Sequence, residues 1–303
     1  MSRLAANGLL LLAALLFGLP YVAQKAGADL MDPFAFVAAR FGIAALVIAP
    51  FALREQRASS TPARPPMLRL TVAICLALFL GASLQQIGLE TTSVTNGGFL
   101  TACYVALTPF VVWALSRTRP RSVVLASSFV SLVGAWLLAT GGGPATPPVI
   151  GDALILAADV AWAVGFALTP IYLGRGGRPL TLAFLQYAVC AVLAGVASFA
   201  FERPNPQTFI DAAQPLLITG VVSGAIAFTM QICAQKHTPP AEAALVLSTE
   251  SLFAALGGAV FLGEEISELS MIGAALILAG AAAADGAPPI LRFFGSRRRP
   301  SAV

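Results

Sequence analysis

Residues 67–89 read MLRLTVAICLALFLGASLQQIGL, twenty-three positions with one charge, Arg69, close to the start and a glutamine, Gln86, near the end. Wound as a helix at 1.5 Å per residue, the run is about 35 Å long, enough to cross a hydrocarbon layer of about 30 Å. Nine further stretches pass the same test, at 4–24, 33–53, 92–116, 122–140, 151–173, 179–201, 212–235, 241–262 and 268–285. The sequence therefore predicts an all-α membrane protein of ten transmembrane helices. The apolar run that opens near Arg3 continues past Phe17 to Ala23 without a small-residue cleavage pattern, so it reads as a retained first helix and not as a signal peptide.

Composition agrees with this reading. Of 303 residues, 58% are hydrophobic and only 11% charged, against about 25% charged in soluble domains. A soluble chain of this size has no way to build a polar shell from so few charges, so its apolar surface faces lipid. The net charge is +4, but the basic residues form no stripe with interleaved aromatics, which argues against nucleic-acid binding. Cys75, Cys103, Cys190 and Cys233 lie inside apolar runs with no C-x-x-C pair, and His237 is the sole histidine. No metal site or cofactor is expected.

The basic residues also orient the chain. With the N-terminus inside, the cytoplasmic side receives Arg3, Arg54, Arg57, Arg64, Arg69, Arg117, Arg119, Arg121, Arg175, Arg178, Lys236, Arg292, Arg297, Arg298 and Arg299. Only Lys25, Arg40 and Arg203 fall elsewhere, and the opposite loops carry acids such as Asp29, Asp32, Glu90, Glu202 and Asp211. That asymmetry follows the positive-inside rule, with both termini cytoplasmic. The arginines of the 287–303 tail set topology and touch anionic lipid.

The glycine- and proline-rich run GGGPATPP at 141–148 divides the chain into five helices on either side. An odd number per half inserts the second half upside down, the inverted-repeat plan of many secondary transporters. The units read as 1–140, a joining loop at 141–150, and 151–286. Gln86-Ile87 recurs as Gln231-Ile232, 145 residues later, and Phe17 is matched by Trp162 at the same offset.

Several short motifs, in order, resemble one family. Phe17-Gly18 with Lys25, Asp32-Pro33 with Arg40-Phe41, Gly88-Leu89 through Leu107-Thr108-Pro109, Glu250 followed by Leu262-Gly263-Glu264, and the small-residue run from Gly273 to Gly280 are similar to the EamA branch of the drug/metabolite transporter superfamily. Within it the chain looks most like the YddG-type amino-acid exporters. The resemblance covers nearly the whole chain and implies export of amino acids through a central cavity lined by both halves. The end of the fourth helix departs from it: Ser116-Arg117 lacks the acidic ending of the ninth.

Polar groups in hydrocarbon are expensive and tend to face a cavity or a partner. Glu250, near the middle of the ninth helix, suits a substrate amine or a coupling proton, or a structural hydrogen bond. Asp159, Trp162 and Phe166 share one face of the sixth helix at i, i+3 and i+7, either walling a pocket or packing a core. Gln86 and Gln231 carry amides that suit a zwitterion or glue helices together, and Tyr21 and Tyr104 add hydroxyls. Arg40 and Lys25 read as snorkelling side chains or members of structural ion pairs. Pro20, Gly97, Gly98, Pro109 and Pro170 are hinge candidates that soften or interrupt helices one, four and six, or else serve packing.

No G-x-x-x-x-G-K-[ST] motif is present for ATP hydrolysis, nor an H-E-x-x-H or G-x-S-x-G motif for intramembrane catalysis. The expectation is a non-enzymatic secondary transporter in the bacterial inner membrane, a monomer, exporting amino acids by alternating access, with protons as a candidate coupling ion. The same fold carrying a purine, sugar-nucleotide or drug, an intramembrane enzyme, and a structural membrane protein are the alternatives.

Overall fold

The computed structural model of the chain describes residues 1–58, 67–92, 94–117, 119–141, 149–263 and 266–284, and every regular element among them is helical. The readings placed on Arg64, on 142–148, on Glu264 and on the basic tail lie outside the described residues.

Among the described residues, nine helices are long and apolar enough to cross a membrane: α1 (Arg3–Leu30), α2 (Pro33–Ala58), α3 (Leu68–Thr91), α4 (Asn96–Ser116), α5 (Ser122–Thr140), α6 (Ile150–Gly174), α7 (Pro179–Phe201), α8 (Ala213–Gln235) and α9 (Pro240–Phe261). A tenth, α10 (Glu268–Ala284), has 17 residues, about a turn less than a full crossing requires. Their outward faces are apolar: Phe199 is 83% exposed, and Leu46, Phe129, Val196 and Met271 are exposed too. In water such a surface is untenable, whereas in lipid it is the expected exterior.

The helices pack in pairs, α2 with α7, α5 with α10 and α3 with α6, while α1 lies against α8 and α9. One buried cluster joins α2, α3, α6, α7 and α8 through Phe41, Leu78, Tyr172, Tyr187 and Ile232. A second joins α1, α4, α6, α8 and α9 through Leu10, Tyr104, Phe166, Ala227 and Leu245. Glycines set the close crossings. A Cβ on Gly88 of α3 would meet Ile155 Cγ1 of α6 at 2.6 Å, and one on Gly134 of α5 would meet the Gly273 carbonyl of α10 at 2.6 Å.

The helices are not uniform. α1 breaks after Gly18 and resumes at Tyr21, with Pro20 at the joint. α4 divides between Thr101 and Tyr104, so its break lies between the expected softening points, Gly97-Gly98 and Pro109. α6, expected to be interrupted, runs through Pro170 without a break. The missing N–H costs one hydrogen bond, which packed neighbours make tolerable in membrane helices. α8 is π-helical from Ile218 to Ala227, and α9 from Gly258 to Leu262, widenings that a 3.6-residue pattern does not announce.

α2 and α7 are antiparallel and fastened at both ends by glutamates. Glu202, just past the end of α7, accepts the N–H groups of Phe34 (2.7 Å) and Ala35 (2.9 Å) at the start of α2. Glu55, near the end of α2, accepts the N–H of Thr181 (2.7 Å), its hydroxyl (2.9 Å) and the N–H of Leu180 (3.3 Å) at the start of α7. Each carboxylate satisfies amides that have no partner within their own helix and sits at the positive end of that helix dipole. Glu202→Ala is expected to cost about 1 kcal/mol, as the loss of a helix cap does, seen as a lower melting temperature of the purified protein in detergent. An unchanged melting temperature would show that the clamp contributes nothing to stability.

Candidate functional site

Side chains from α1, α2, α3, α4, α6, α8 and α9 converge on a partly open cavity. Phe17, Trp162 and Glu250 reach it from near the middle of α1, α6 and α9.

One wall is aromatic. Trp162 stacks on Phe228 at 5.7 Å, Phe17 meets Phe228 edge-on at 4.6 Å, and Phe41 lies 6.0 Å from Phe228. Tyr104 stacks on Phe166 at 5.2 Å. Phe17 and Tyr21 flank the break in α1 and line the cavity, and Gly18 packs against the Glu250 carbonyl of α9, where a Cβ would also come within 2.6 Å of the Phe253 Cβ. Polar groups line the cavity too. The Thr101 hydroxyl accepts from Gln85 Nε2 (2.9 Å), donates to the Gly97 carbonyl (2.8 Å) and lies 3.4 Å from the Tyr21 hydroxyl. Glu250 stands beside Tyr104.

Of the residues expected from sequence, Tyr21, Tyr104, Trp162, Phe166, Gln231 and Glu250 line this cavity, as does Gly98. Gln86 and Asp159 are wholly buried and are not among the lining residues. Gln86 Nε2 reaches the Gln24 carbonyl at 3.5 Å, and neither carboxylate oxygen of Asp159 has a hydrogen-bond partner. Along α3 it is Gln85 that faces the space. Adjacent residues on a helix point about 100° apart, a choice that two neighbouring glutamines leave open. Lys25 pairs with Asp29 (2.8 Å) and the Leu89 carbonyl (2.7 Å). Arg40, expected to snorkel or pair, does neither: it is 4% exposed, lines the cavity and forms no ion pair among the described residues.

A smaller recess adjoins the Trp162–Phe228 stack. Trp162, Phe166, Phe228 and Gln231 border both spaces, while Ile74, Thr169 and Gln186 line only the recess. The stack is thus shared by the two spaces.

The EamA-like transporter family model matches the chain twice, over residues 4–140 and again over 149–284. The chain belongs to that family. An uncharacterized transporter of Archaeoglobus fulgidus is 31% identical over 91% of this chain and 84% of its own length. The uncharacterized transporter YwfM of Bacillus subtilis is 24% identical over 92% and 93%. The threonine/homoserine exporter RhtA of Salmonella typhimurium is 26% identical over 55% of this chain and 59% of its own. A solved crystal structure, 20% identical in sequence, shares the fold with a TM-score of 0.74 over 97% of this chain and 99% of that one. This EamA protein is therefore a multi-pass membrane transporter, and the cavity between its helices is the candidate path.

Gly81, packed against Trp162, and Gly98, on the cavity wall of this EamA protein, differ in the room around them. A Cβ on Gly81 of α3 would lie 2.9 Å from Trp162 Cδ2 and Cε2, whereas one on Gly98 of α4 meets only the Ala254 Cβ at 3.9 Å. Gly81→Val is expected to push the indole out of place and abolish transport by a folded protein, while Gly98→Ala leaves it near wild type. Uptake into liposomes distinguishes the two, and normal uptake by folded Gly81→Val would remove the indole from the path.

Proposed function

We propose that this EamA-family transporter exports amino acids across the bacterial inner membrane by alternating access. The observation that carries the reading is the central cavity, which is lined by aromatic rings together with the Glu250 carboxylate and the Gln85 and Gln231 amides. Aromatic surface suits an apolar side chain, and a carboxylate with amides suits an ammonium group. The similarity to the Salmonella threonine/homoserine exporter points the same way.

In this reading the bundle is ten crossings in two inverted repeats of five, 1–140 and 151–286, with 141–150 joining them and both termini cytoplasmic. Support comes from one family match per half, from the basic-residue asymmetry, and from the paired glutamate clamps. A single chain encloses the whole path, so a monomer suffices.

The large cavity then lies toward the outside and the Gln186 recess toward the cytoplasm, with the Trp162–Phe228 stack between them. Glu242, at the cytoplasmic start of α9, pairs with Arg3 of α1 and with Arg121 before α5 (3.6 Å), and Thr238 donates to Asn7 of α1 (3.0 Å). These contacts hold the cytoplasmic end shut, the arrangement of an outward-facing state. Opening inward requires parting α1 from α9 and swinging the aromatic stack aside.

Counterflow of radiolabelled amino acids in liposomes containing the purified protein tests the reading. Saturable exchange that unlabelled amino acids compete, and nucleobases and sugars do not, is the expected result. Exchange competed by another metabolite class would overturn it.

Glu250 is also the candidate site for proton coupling. Tyr104 from α4, Asp159 from α6 and Tyr21 from α1 are the titratable groups around it. Glu250→Gln is expected to weaken exchange, because the ammonium site loses its charge, and to flatten the pH dependence of what remains in a folded carrier. Unchanged pH dependence would remove Glu250 from that role.

A further inference from the structure

We propose that Arg40 is the anion-binding residue of the central cavity, so the transported molecule carries a free carboxylate, held at Arg40 while Glu250 takes its ammonium group. This rests on the transporter reading above and narrows its substrate class.

Arg40 lies on α2, inside the first third of the helix. Its side chain is buried yet lines the cavity, and its Nε has no hydrogen-bond partner. The guanidinium carbon lies 4.7 Å from the Phe41 ring centre, a cation–π contact that steadies the planar head without consuming its in-plane donors. A lone cation in an apolar interior is costly unless something neutralises it. Snorkelling does not, since the side chain is buried. A structural ion pair does not, since no carboxylate among the described residues lies within ion-pair distance. Glu250 lines the same cavity but remains unpaired with Arg40.

Two opposite charges facing one small space, apart from each other, present complementary poles to a zwitterion. The Gln24 amide nitrogen, also on the cavity wall and also without a partner, adds a donor of the kind a carboxylate accepts. The backbone around Arg40 is held by close packing. A Cβ on Gly220 of the π-helical part of α8 would meet the Arg40 carbonyl at 2.9 Å, so α2 and α8 touch where the arginine emerges. A guanidinium presents a flat fork of donors that matches a carboxylate in two-point fashion, and an ammonium does not.

The test uses Trp162 as a reporter, with Trp113 and Trp136 replaced by Phe, and follows quenching by five probes. L-leucine, L-phenylalanine and 4-methylpentanoate carry a carboxylate. Leucinamide and 3-methylbutylamine keep the amine and lack the carboxylate. The expected result is binding of the carboxylate-bearing probes by the parent protein, weakened about 10- to 100-fold in Arg40→Gln, with partial recovery in Arg40→Lys. The two carboxylate-free amines should bind weakly and be indifferent to Arg40→Gln. If those amines bind as well as leucine, or Arg40→Gln leaves leucine affinity unchanged in a protein with a wild-type elution profile, the proposal is overturned. Absence of binding by all three carboxylates also overturns it. Binding of 4-methylpentanoate but of neither amino acid sustains the Arg40 assignment and sinks the amino-acid reading, so the two failures are distinguishable.

Discussion

Helix ends in a membrane bundle expose amides that water at the interface satisfies only in part, and the pairing of α2 with α7 answers this with carboxylates. Glu55 and Glu202 each stand near the C-terminal end of one helix, where a negative charge opposes that helix's own dipole. Each is held there by the N-terminal amides of its antiparallel neighbour. The consequence is a pair that cannot slide without breaking charge-assisted hydrogen bonds at both ends. Phe41, Tyr187 and Cys190 pack between the clamps, and the Tyr187 hydroxyl meets Thr229 of α8 at 3.0 Å. α2 is therefore tied to α7 at both ends, and Arg40 is carried on it.

Other helices carry interruptions. α1, α4 and α9 are interrupted beside the cavity, at Leu19–Pro20, Ala102–Cys103 and Ser248–Thr249. In α9 the Ser248 and Thr249 hydroxyls donate to carbonyls three residues back, Leu245 and Val246, replacing part of the bonding that the broken helix loses. A break satisfied by its own side chains is able to bend without exposing backbone to lipid. Glu250 is the first residue after that break, so its carboxylate sits where a change of helix angle alters its surroundings most. In the proposed cycle, a substrate bridging Glu250 on α9 and Arg40 on α2 would tie the interrupted helix to the clamped one.

Most of the architecture is legible in the sequence because lipid imposes a long, coarse signal. A run of about 20 apolar residues survives errors of one or two positions, and the bounds of α5 and α7 fall where the sequence places them. Site residues demand finer resolution. Trp162, Phe166 and Glu250 stand out because a large aromatic ring or an acid at mid-helix, away from the interface, needs a cavity or a partner to offset its cost. Gln85 does not stand out from Gln86, since helix rotation decides between them and an all-apolar helix has almost no amphipathic face to fix that rotation. Arg40 is conspicuous in the sequence, but its depth alone points it to the headgroups. The sequence shows how far a residue lies along its helix, but not whether that side faces lipid or a chamber. The π-helical stretch of α8, which shifts every later side chain around the axis, leaves no pattern at all.

The two halves matched by the family model are offset by 145 residues at their starts, 4 and 149, and that offset separates what the fold shares from what it does not. Phe17 corresponds to Trp162 and Tyr21 to Phe166, and all four line the cavity. The Glu55 and Glu202 clamps correspond to within two positions. The frame and its aromatic lining are thus common to both halves. The charges do not repeat at that spacing: Leu185 lies 145 residues after Arg40, and Val105 lies 145 residues before Glu250. A pocket lined identically by both halves would present the same chemistry to either end of a bound molecule. In the proposed site, with one arginine on α2 and one glutamate on α9, a molecule with unlike ends would fit in one orientation.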